Sequence, residues 1–270
     1  KNLEHIFQKF VIDHIYHAAA YKHVPLVENE NNISKAAENN ILGTYNLANV
    51  AVKYNVHSFV MISTDKAVRP TNIMGATKRF AEIIIQSINA EAINTKFSMV
   101  RFGNVINSSG SVIPLFIDQI SRGGPVTVTH KDVKRYFMTI PEASNLVLQA
   151  GEMSTGGEVF ILDMGEQVKI YDLARKLIHL SGRNHADIDQ DEGIEIVEVG
   201  LRPGEKMYEE LLISGSEIKT DNPKIYKATE SFIGLKDLRP LLNQLIDSID
   251  KYDTDKILNI LSQHVEGFER

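Results

Sequence analysis

The chain contains no cysteine among its 270 residues. Disulfides, thiol nucleophiles and cysteine-ligated zinc are therefore excluded, and the composition fits a reducing compartment. The chain also lacks an excess of basic residues, since 35 Asp and Glu residues outnumber 29 Lys and Arg residues and give a formal charge of −6. Nucleic-acid binding needs a concentrated basic patch and is not expected. No apolar run approaches the ~20 residues of a membrane-spanning helix, so this segment is expected to make no membrane contact.

A glycine-rich phosphate-binding loop is missing as well. No G-x-G-x-x-G follows a strand anywhere in the chain, although that loop holds the pyrophosphate in dinucleotide-binding folds. The opening stretch, "KNLEHIFQKFVIDHIYHAAA", nevertheless resembles the middle of such a fold. The expectation is that a first βαβ unit precedes Lys1.

Short apolar runs alternate with helical patterns in the first hundred residues. Strands are predicted over Asp13–Ala20, His57–Ser63 and Lys96–Phe102. Apolar residues at a 3.6-residue period predict one helix from Ile33 to Ala51 and another over Gly75–Ala90. Strands alternating with helices in this way indicate a doubly wound parallel sheet, a Rossmann-like α/β fold.

Beyond Phe102 the chain becomes rich in Gly, Ser and Asn, and "GNVINSSGSVIP" is predicted to be a loop. Further strands are predicted in "GPVTVTH", "GEVFILDMG" and "IEIVEVG", and further helices in "TIPEASNLVLQAGEM", in "IYDLARKLIHLSG" and from Leu235 onward. We predict a dinucleotide-binding core over residues 1–165, with a substrate-loop excursion at about 106–138. Residues 166–270 are predicted to form a smaller substrate-binding lobe with the C-terminal helices.

Thr64, Asp65 and Lys66 directly follow the second predicted strand. Parallel sheets bind ligands at the carboxyl ends of their strands, and an adjacent carboxylate and ammonium can act there as an acid and a base. T-D-K is also a common loop composition, so these three residues alone leave a surface turn open. Lys78 favours a functional site, because it lies about one helical turn after Met74, at the spacing of a Tyr-x-x-x-Lys catalytic pattern.

Six motifs occur in one order along the chain: "HAAAYKHVPLVE", "NNILGT", "STDKAVRPTNIMGATKRFAE", "RFGNVINSSGSVIPLF", "RYFMTIPEA" and "GLRPGEKMYEELL". Together they resemble the UDP-N-acetylglucosamine 4,6-dehydratase family of polysaccharide and glycan biosynthesis, within the extended short-chain dehydrogenases. The resemblance runs from about Asp13 to Leu212. That family is built around Tyr-x-x-x-Lys, and here Met74 takes the tyrosine position. Methionine there is similar to the large, membrane-anchored branch of the family.

The resemblance implies a role for each matching residue. The catalytic group it implies is Asp65 as the acid, Lys66 as the base, Thr64 near the sugar O4, Met74 at the tyrosine position and Lys78 on the nicotinamide ribose. The cofactor contacts it implies are Ala19, Lys22, Lys78, Val105, Ile106, Asn107, Ser108 and Ser109. The substrate contacts it implies are Asn104, Val112 near the nucleotide sugar, Thr129 on the uridine side, Arg202 on the diphosphate and Glu205 on a ribose hydroxyl.

Elementary chemistry supports two of these roles and leaves alternatives open. The guanidinium of Arg202 is a planar, permanently charged fork that suits a diphosphate, and a surface salt bridge is the less favoured alternative. Asn104 sits in a Gly/Ser loop where backbone can approach a ligand, although it could equally form an Asx turn. His14 and His17 are three residues apart on a predicted strand and therefore point to opposite faces. We interpret them, and His23, as residues that either pack against their neighbours or support a site through other side chains, and no metal site is expected.

The resemblance implies a 4,6-dehydratase acting on UDP-N-acetylglucosamine. Oxidation at C4 acidifies the C5 proton, neutral Lys66 removes that proton, Asp65 protonates the departing O6, and hydride returns to C6. A thioether cannot accept the O4 proton, so Asp65, or a water held by Thr64, takes it instead of Met74. An epimerase of the same superfamily and a non-catalytic nucleotide-sugar-binding module are the alternatives.

The same resemblance implies a cofactor and a cellular setting. The cofactor is expected to be NAD, with NADP as the alternative, tightly bound and regenerated in each turnover. The partners are expected to be a UDP-sugar and further copies of the chain in a homo-oligomer. The expected location is the cytoplasm, or the cytoplasmic face of the inner membrane if the full-length protein carries an N-terminal anchor.

Overall fold

The computed structural model describes residues 2–186, 193–211 and 217–269. Its helices are α1 (Asn2–Lys9), α2 (Val24–Val27), α3 (Glu30–Ala37), α4 (Gly43–Lys53), α5 (Ile73–Glu91), α6 (Val112–Ser121), α7 (Ile140–Glu152), α8 (Ile170–Leu180), α9 (Leu235–Asp250) and α10 (Thr254–His264). Its strands are β1 (His14–His17), β2 (Ser58–Ile62), β3 (Lys96–Arg101), β4 (Asn104–Val105), β5 (Val126–Val128), β6 (Lys134–Arg135), β7 (Phe137–Met138), β8 (Val159–Leu162), β9 (Val168–Lys169), β10 (Ile196–Glu198), β11 (Ile218–Lys219) and β12 (Ile225–Ala228).

The chain forms two compact units. The first contains residues 1–102, 145–163 and 210–270, and the second contains residues 103–144 and 164–209. The last residue of the sixth motif, Leu212, lies outside the described residues.

A six-stranded mixed sheet, in the order β1-β2-β3-β8-β12-β11, organises the first unit. The first four strands are parallel, and β12 and β11 are added antiparallel. Strands β2, β3 and β8 are almost wholly buried, and β2 and β8 are mostly apolar, as expected for central strands of a parallel sheet covered by helices. The predicted doubly wound α/β fold is confirmed.

One difference from the predicted layout concerns residues 210–270. The prediction assigned them to the substrate lobe, whereas the structure groups them with the first unit. The physical reason is twofold. Strand β12 pairs with β8 and so extends the main sheet. Helix α9 buries Leu238, Leu242 and Leu245 in the same core cluster as the apolar face of α5. This helix therefore packs within the first unit.

The second unit has its own core and three short pairs of strands. The pairs are β5 with β10 and β4 with β7, both parallel, and β6 with β9, antiparallel. Phe116 of α6, Val126 of β5 and Ile178 of α8 belong to the buried apolar cluster beneath them. This unit carries the Gly/Ser-rich loop after Phe102 and the R-P-G-E-K motif.

The predicted helix from Ile33 to Ala51 is one continuous helical run with an irregular middle. Helix α3 passes into a π-helical turn, Glu38–Leu42, before α4 begins at Gly43. A π turn widens the helix by one residue and is found frequently at functional sites. It places Asn40, which is buried, in the interior of the first unit.

Candidate active site

The predicted acid–base pair lies on a short turn at the carboxyl end of β2. Asp65, Lys66 and Ala67 form one turn of 3-10 helix, and the Thr64 hydroxyl accepts a hydrogen bond from the Lys66 backbone N–H at 3.3 Å. The turn is tied to β3, because the Ser63 N–H donates to Val100 O at 2.8 Å and the Asp65 N–H to Phe102 O at 3.2 Å. The geometry is that of a ligand-binding edge of a parallel sheet.

The Asp65 carboxylate is completely buried, with an exposure of 0%. Its Oδ1 accepts hydrogen bonds from the Thr64 hydroxyl and from Lys66 Nζ, each at 2.9 Å. Its Oδ2 has no hydrogen-bond partner among the residues that the structure describes. Leaving a buried carboxylate oxygen unpaired is costly, so an unpaired oxygen points to a functional use. Asp65 therefore has one oxygen held in place and one left for a ligand.

Helix α5 brings Met74 and Lys78 to this turn. Its N-cap is Asn72, whose Oδ1 accepts a hydrogen bond from the Gly75 N–H at 2.8 Å. A Cβ atom on Gly75 would lie only 2.1 Å from the carbonyl oxygen of Lys66. The first turn of α5 and the Lys66 backbone are therefore in direct contact, which only a glycine permits.

Lys78 is buried at the end of β2. Its exposure is 5%, and its Nζ donates to the carbonyl of Ile62 at 2.7 Å. Burial lowers the pKa of Lys78 to about 8, against the opposing effect of the Glu82 carboxylate. The ammonium is thus fixed next to the strand end that carries Asp65.

Met74 packs among apolar side chains in the core of the first unit, with an exposure of 3%. Its backbone carbonyl accepts a hydrogen bond from the Thr77 hydroxyl at 2.8 Å. A thioether has no ionisable proton, so the position that carries the tyrosine in the Tyr-x-x-x-Lys pattern provides packing here. The groups at this edge of the sheet that can exchange a proton include Asp65 and Lys66 of the turn.

The predicted cofactor residues after β1 are exposed at the carboxyl end of that strand. Ala19 and Lys22 lie in the loop that leaves β1. Asn40 holds this loop through both ends of its amide, because Oδ1 accepts from the Tyr21 N–H at 2.7 Å and Nδ2 donates to Tyr21 O at 3.2 Å. The same Nδ2 lies 3.0 Å from the Thr77 hydroxyl of α5. The motif "NNILGT" was recognised from the sequence, but this role of Asn40 was not.

These residues fit the nicotinamide–ribose half of a dinucleotide. Strands β1 and β2 are parallel and end at the same edge of the sheet, where open α/β sheets bind cofactors. The small side chains of Ala18 and Ala19 leave the end of β1 open. The buried Lys78 ammonium offers donors for ribose hydroxyls.

The remaining predicted cofactor contacts lie in the second unit, on the loop after Phe102. Strand β4 starts this loop, because the Asn104 N–H donates to Tyr136 O at 3.1 Å and the Ile106 N–H to Met138 O at 2.8 Å. Asn107 turns the chain with a φ of +60°, and the Ser108 N–H closes the turn onto Val105 O. Ser109 is exposed, and Val112 is the first residue of α6.

The predicted substrate residues Thr129, Arg202 and Glu205 meet in the second unit. Glu205 Oε1 accepts from the Thr129 hydroxyl at 3.0 Å and from Arg135 Nη2 at 3.1 Å, and Oε2 accepts from the Arg202 backbone N–H at 3.2 Å. Arg202 itself is exposed. Glu205 thus fixes the loop that presents Arg202. Arg135, within the motif "RYFMTIPEA", was not assigned a role from the sequence.

The histidines of β1 point to opposite faces of the sheet and differ in burial. His14 is exposed and its Nδ1 lies 2.7 Å from the Ser58 hydroxyl, whereas His17 is buried with its Nε2 2.9 Å from the Thr44 hydroxyl. The two side chains lie apart, as predicted for strand neighbours of odd spacing. Within residues 2–186, 193–211 and 217–269, no group of three or more His, Asp or Glu side chains could hold a metal ion. In the same ranges, no helix is long and apolar enough to cross a membrane.

Residues 1–230 match a protein family described as "Polysaccharide biosynthesis protein". The chain belongs to this family. The capsular polysaccharide biosynthesis protein CapD of Staphylococcus aureus is 55% identical over 247 residues, which cover 91% of this chain and 40% of CapD. A UDP-glucose 4-epimerase from Rickettsia canadensis is 36% identical over 213 residues, covering 78% of this chain and 59% of the epimerase. The chain thus spans less than two thirds of the length of both relatives.

Solved structures agree with the family assignment. The X-ray structure of Pen from Bacillus thuringiensis superimposes with a TM-score of 0.75 at 34% identity, and covers 90% of this chain and 79% of that one. More distant structures, at 19% identity, show the fold alone. They include a UDP-glucose 4-epimerase of Thermus thermophilus with NAD and the dTDP-glucose 4,6-dehydratase DesIV of Streptomyces venezuelae with NAD. The family resemblance and the extended short-chain dehydrogenase fold inferred from the motifs are both confirmed.

Proposed function

We propose that this polysaccharide biosynthesis protein is a nucleotide-sugar 4,6-dehydratase that converts UDP-N-acetylglucosamine to a UDP-4-keto-6-deoxy sugar. The observation that carries the proposal is the Asp65–Lys66 pair at the end of β2, in which Asp65 is buried and its Oδ2 has no partner among the described residues. Loss of water across C5 and C6 needs both a base for the C5 proton and an acid for the O6 hydroxyl. An adjacent carboxylate and amine supply both.

Each group has a defined task in this reaction. When bound, NAD, or alternatively NADP, would accept hydride from C4 of the sugar and return it to C6. Lys66, in its neutral form, removes the proton from C5 and returns a proton to C5 when hydride adds to C6. Asp65 takes the O4 proton through its unpaired oxygen and later delivers it to the departing O6 hydroxyl. Thr64 orients the carboxylate by donating to Oδ1, and Lys78 binds the ribose at the end of β2.

The second unit supplies the groups proposed to hold the UDP moiety. Arg202 provides a permanently charged fork for the diphosphate, and Thr129 and Glu205 flank it in one hydrogen-bonded cluster. Asn104 and Val112 are proposed to contact the sugar, and residues 105–109 to line the cofactor. Because both oxygens of Glu205 are already engaged, its contact with a ribose hydroxyl would share those oxygens rather than use a free one.

Product analysis with the full-length protein tests this proposal. Incubation with UDP-N-acetylglucosamine should give a product lighter than the substrate by the mass of one water, without net consumption of added cofactor. A product of unchanged mass but altered C4 configuration would identify an epimerase, the second candidate that the Rickettsia relative favours. If the substrate is recovered unchanged at saturating concentration, the remaining candidate is a non-catalytic nucleotide-sugar-binding module.

A further inference from the structure

Four charged side chains form a buried cluster behind the Asp65 turn in the first unit. Arg79 and Glu82 come from α5, Arg101 from the end of β3, and Glu230 from the segment after β12. Each is less than 9% exposed, and Glu82 and Arg101 are 0% exposed. Two positive and two negative charges leave the cluster formally neutral.

The contacts within this cluster are short and mostly paired. Arg101 donates to both oxygens of Glu82, at 2.8 Å and 2.6 Å, and to both oxygens of Glu230, at 2.6 Å and 2.8 Å. Arg79 Nη1 lies 3.0 Å from Glu82 Oε2 and 2.9 Å from Glu230 Oε2. Well-packed apolar residues often stabilise a fold as well as a buried ion cluster does. A contribution to folding stability alone therefore does not explain why these four charged residues are buried together.

Glu82 differs from Glu230 in what else it touches. Its Oε1 also accepts a hydrogen bond from the Ser63 hydroxyl at 2.6 Å, and Ser63 is the residue immediately before the Thr64–Ala67 turn. Glu82 also lies one helical turn after Lys78, whose Nζ is bound to Ile62 O. The strand end is therefore held at Ile62 by Lys78 and at Ser63 by Glu82, both from the same face of α5.

Glu82 also differs from the other charged groups near Lys78 in its effect on the pKa of that lysine. The titratable and charged groups on the surrounding elements include His17 on β1, Glu28 before α3, Asp65 and Lys66 on the turn, Arg101 on β3, Glu230 after β12 and, on α5, Arg79 and Glu82. The Glu82 carboxylate is the group that raises the pKa of Lys78 against burial, whereas the charge of Lys78 helps to lower the pKa of His17. Burial opposes ionisation of Glu82 itself, but Arg101, Arg79 and Ser63 outweigh it and bring its pKa to about 2.

We propose that Glu82 is a positioning residue of this site: it anchors Ser63, and through it the Asp65–Lys66 turn, and places a buried carboxylate one helical turn from the Lys78 ammonium. The catalytic meaning of the turn and of Lys78 rests on the proposed function. The anchoring and the charge effect do not, because they are properties of the folded chain. Glu230 carries the same charge in the same cluster and provides a matched comparison.

The test is a titration of the lysine side chains by NMR in the full chain, labelled with 13C at lysine Cε. Lys78→Met assigns the resonance of Lys78. In Glu82→Gln, the proton affinity of Lys78 should fall by about tenfold or more, as expected when an opposite charge within a few ångströms is removed. In Glu230→Gln the fall should be several-fold smaller. Equal effects in the two variants, or no effect in Glu82→Gln, would overturn the charge role.

The anchoring role has its own measurement, which also covers the case that Glu82→Gln does not fold. Ser63→Ala keeps every charge and removes only the hydrogen bond to Glu82. Hydrogen exchange of the Asp65 amide, which is bonded to Phe102 O, should accelerate by about tenfold or more. Unchanged exchange would overturn the anchoring role. Neither measurement uses substrate, so a failed dehydration assay would leave the role of Glu82 standing, and the reverse also holds.

Discussion

At the scale of single residues, the distribution of proton-transfer groups distinguishes Asp65 from Met74. Both side chains are buried and both lie near the end of β2, but only the carboxylate can accept and release a proton. Asp65 has one oxygen fixed by Thr64 and Lys66 and one without a partner among the described residues. Met74 is packed in the apolar core. We therefore propose that the proton role expected of the tyrosine position belongs to Asp65, on the turn.

Asp65→Asn should lower the turnover number for UDP-N-acetylglucosamine by about 10²–10⁴-fold, the usual effect of losing a general acid or base. Asparagine keeps the shape of the side chain but cannot carry the proton, so the affinity for UDP, measured by calorimetry, should be retained. Met74→Ala is the control. It should cost about 2–5 kcal/mol of folding stability through the cavity it creates, while most of the turnover survives. Normal turnover in Asp65→Asn, or equal losses in the two variants, would refute the assignment.

At the scale of secondary-structure elements, the contact between α5 and the Asp65 turn depends on one glycine. Gly75 lies in the first turn of α5, and a methyl group there would meet the Lys66 carbonyl at 2.1 Å. Gly43, at the start of α4, is also helical, but a methyl group there would meet its nearest neighbour at 3.8 Å. The two glycines thus have the same backbone conformation and different surroundings.

Gly75→Ala should displace the Lys66 backbone by about 1 Å, and a shift of that size at a reacting group can cost about 10²-fold in turnover. The crowding should also destabilise the fold by about 1–3 kcal/mol. Gly43→Ala should instead stabilise the fold by about 0.5–1 kcal/mol and leave turnover unchanged, because alanine favours a helix over glycine. Denaturant unfolding and turnover assays on both variants are the measurements. If Gly75→Ala had the same stability and turnover as Gly43→Ala, the proposed dependence of the site on the contact between Gly75 and the Lys66 carbonyl would be refuted.

The elements that could be predicted from the sequence are those with a strong local pattern. The apolar runs of β2 and β3 and the 3.6-residue period of α5 gave their positions to within two residues. The π turn at Glu38–Leu42 interrupts no apolar pattern, so the sequence did not reveal it. Asn40 and Glu82 were missed for a related reason. Their partners, Tyr21 and Ser63, are 19 residues away in each case, and no local pattern reports a buried long-range hydrogen bond.

At the scale of the whole molecule, the grouping of residues depends on long-range pairing that the sequence does not display. The leucines of α9 indicated an amphipathic helix but not which core would bury it, and β12 pairs with β8 across more than 60 positions of the chain. The motifs, by contrast, supplied candidate groups in both units. The predicted catalytic residues all belong to the first unit, and the predicted substrate residues all belong to the second.

The stability of the first unit should depend on pH through His17. Burial, aided by the charge of Lys78, lowers the pKa of His17 from 6.5 to about 4. Because its folded pKa lies below its unfolded pKa, the unfolded chain binds the proton more readily between these values. Stability is therefore complete above about pH 6.5 and falls as the pH is lowered towards 4, by about 3 kcal/mol at most.

His17→Gln removes this titration, so the free energy of unfolding of that variant should vary much less between pH 6.5 and 4 than that of the unchanged chain. His14→Gln is the matched control, because His14 lies on the same strand but is exposed; its pH profile should follow that of the unchanged chain. Glu82 makes a separate contribution at lower pH. Its pKa of about 2 lies below the ordinary glutamate value of 4.5, so the stability it provides is lost only as the pH falls from about 4.5 to 2. Urea unfolding at a series of pH values measures both effects. A slope between pH 6.5 and 4 that persists undiminished in His17→Gln would show that another group carries the acid sensitivity of this unit.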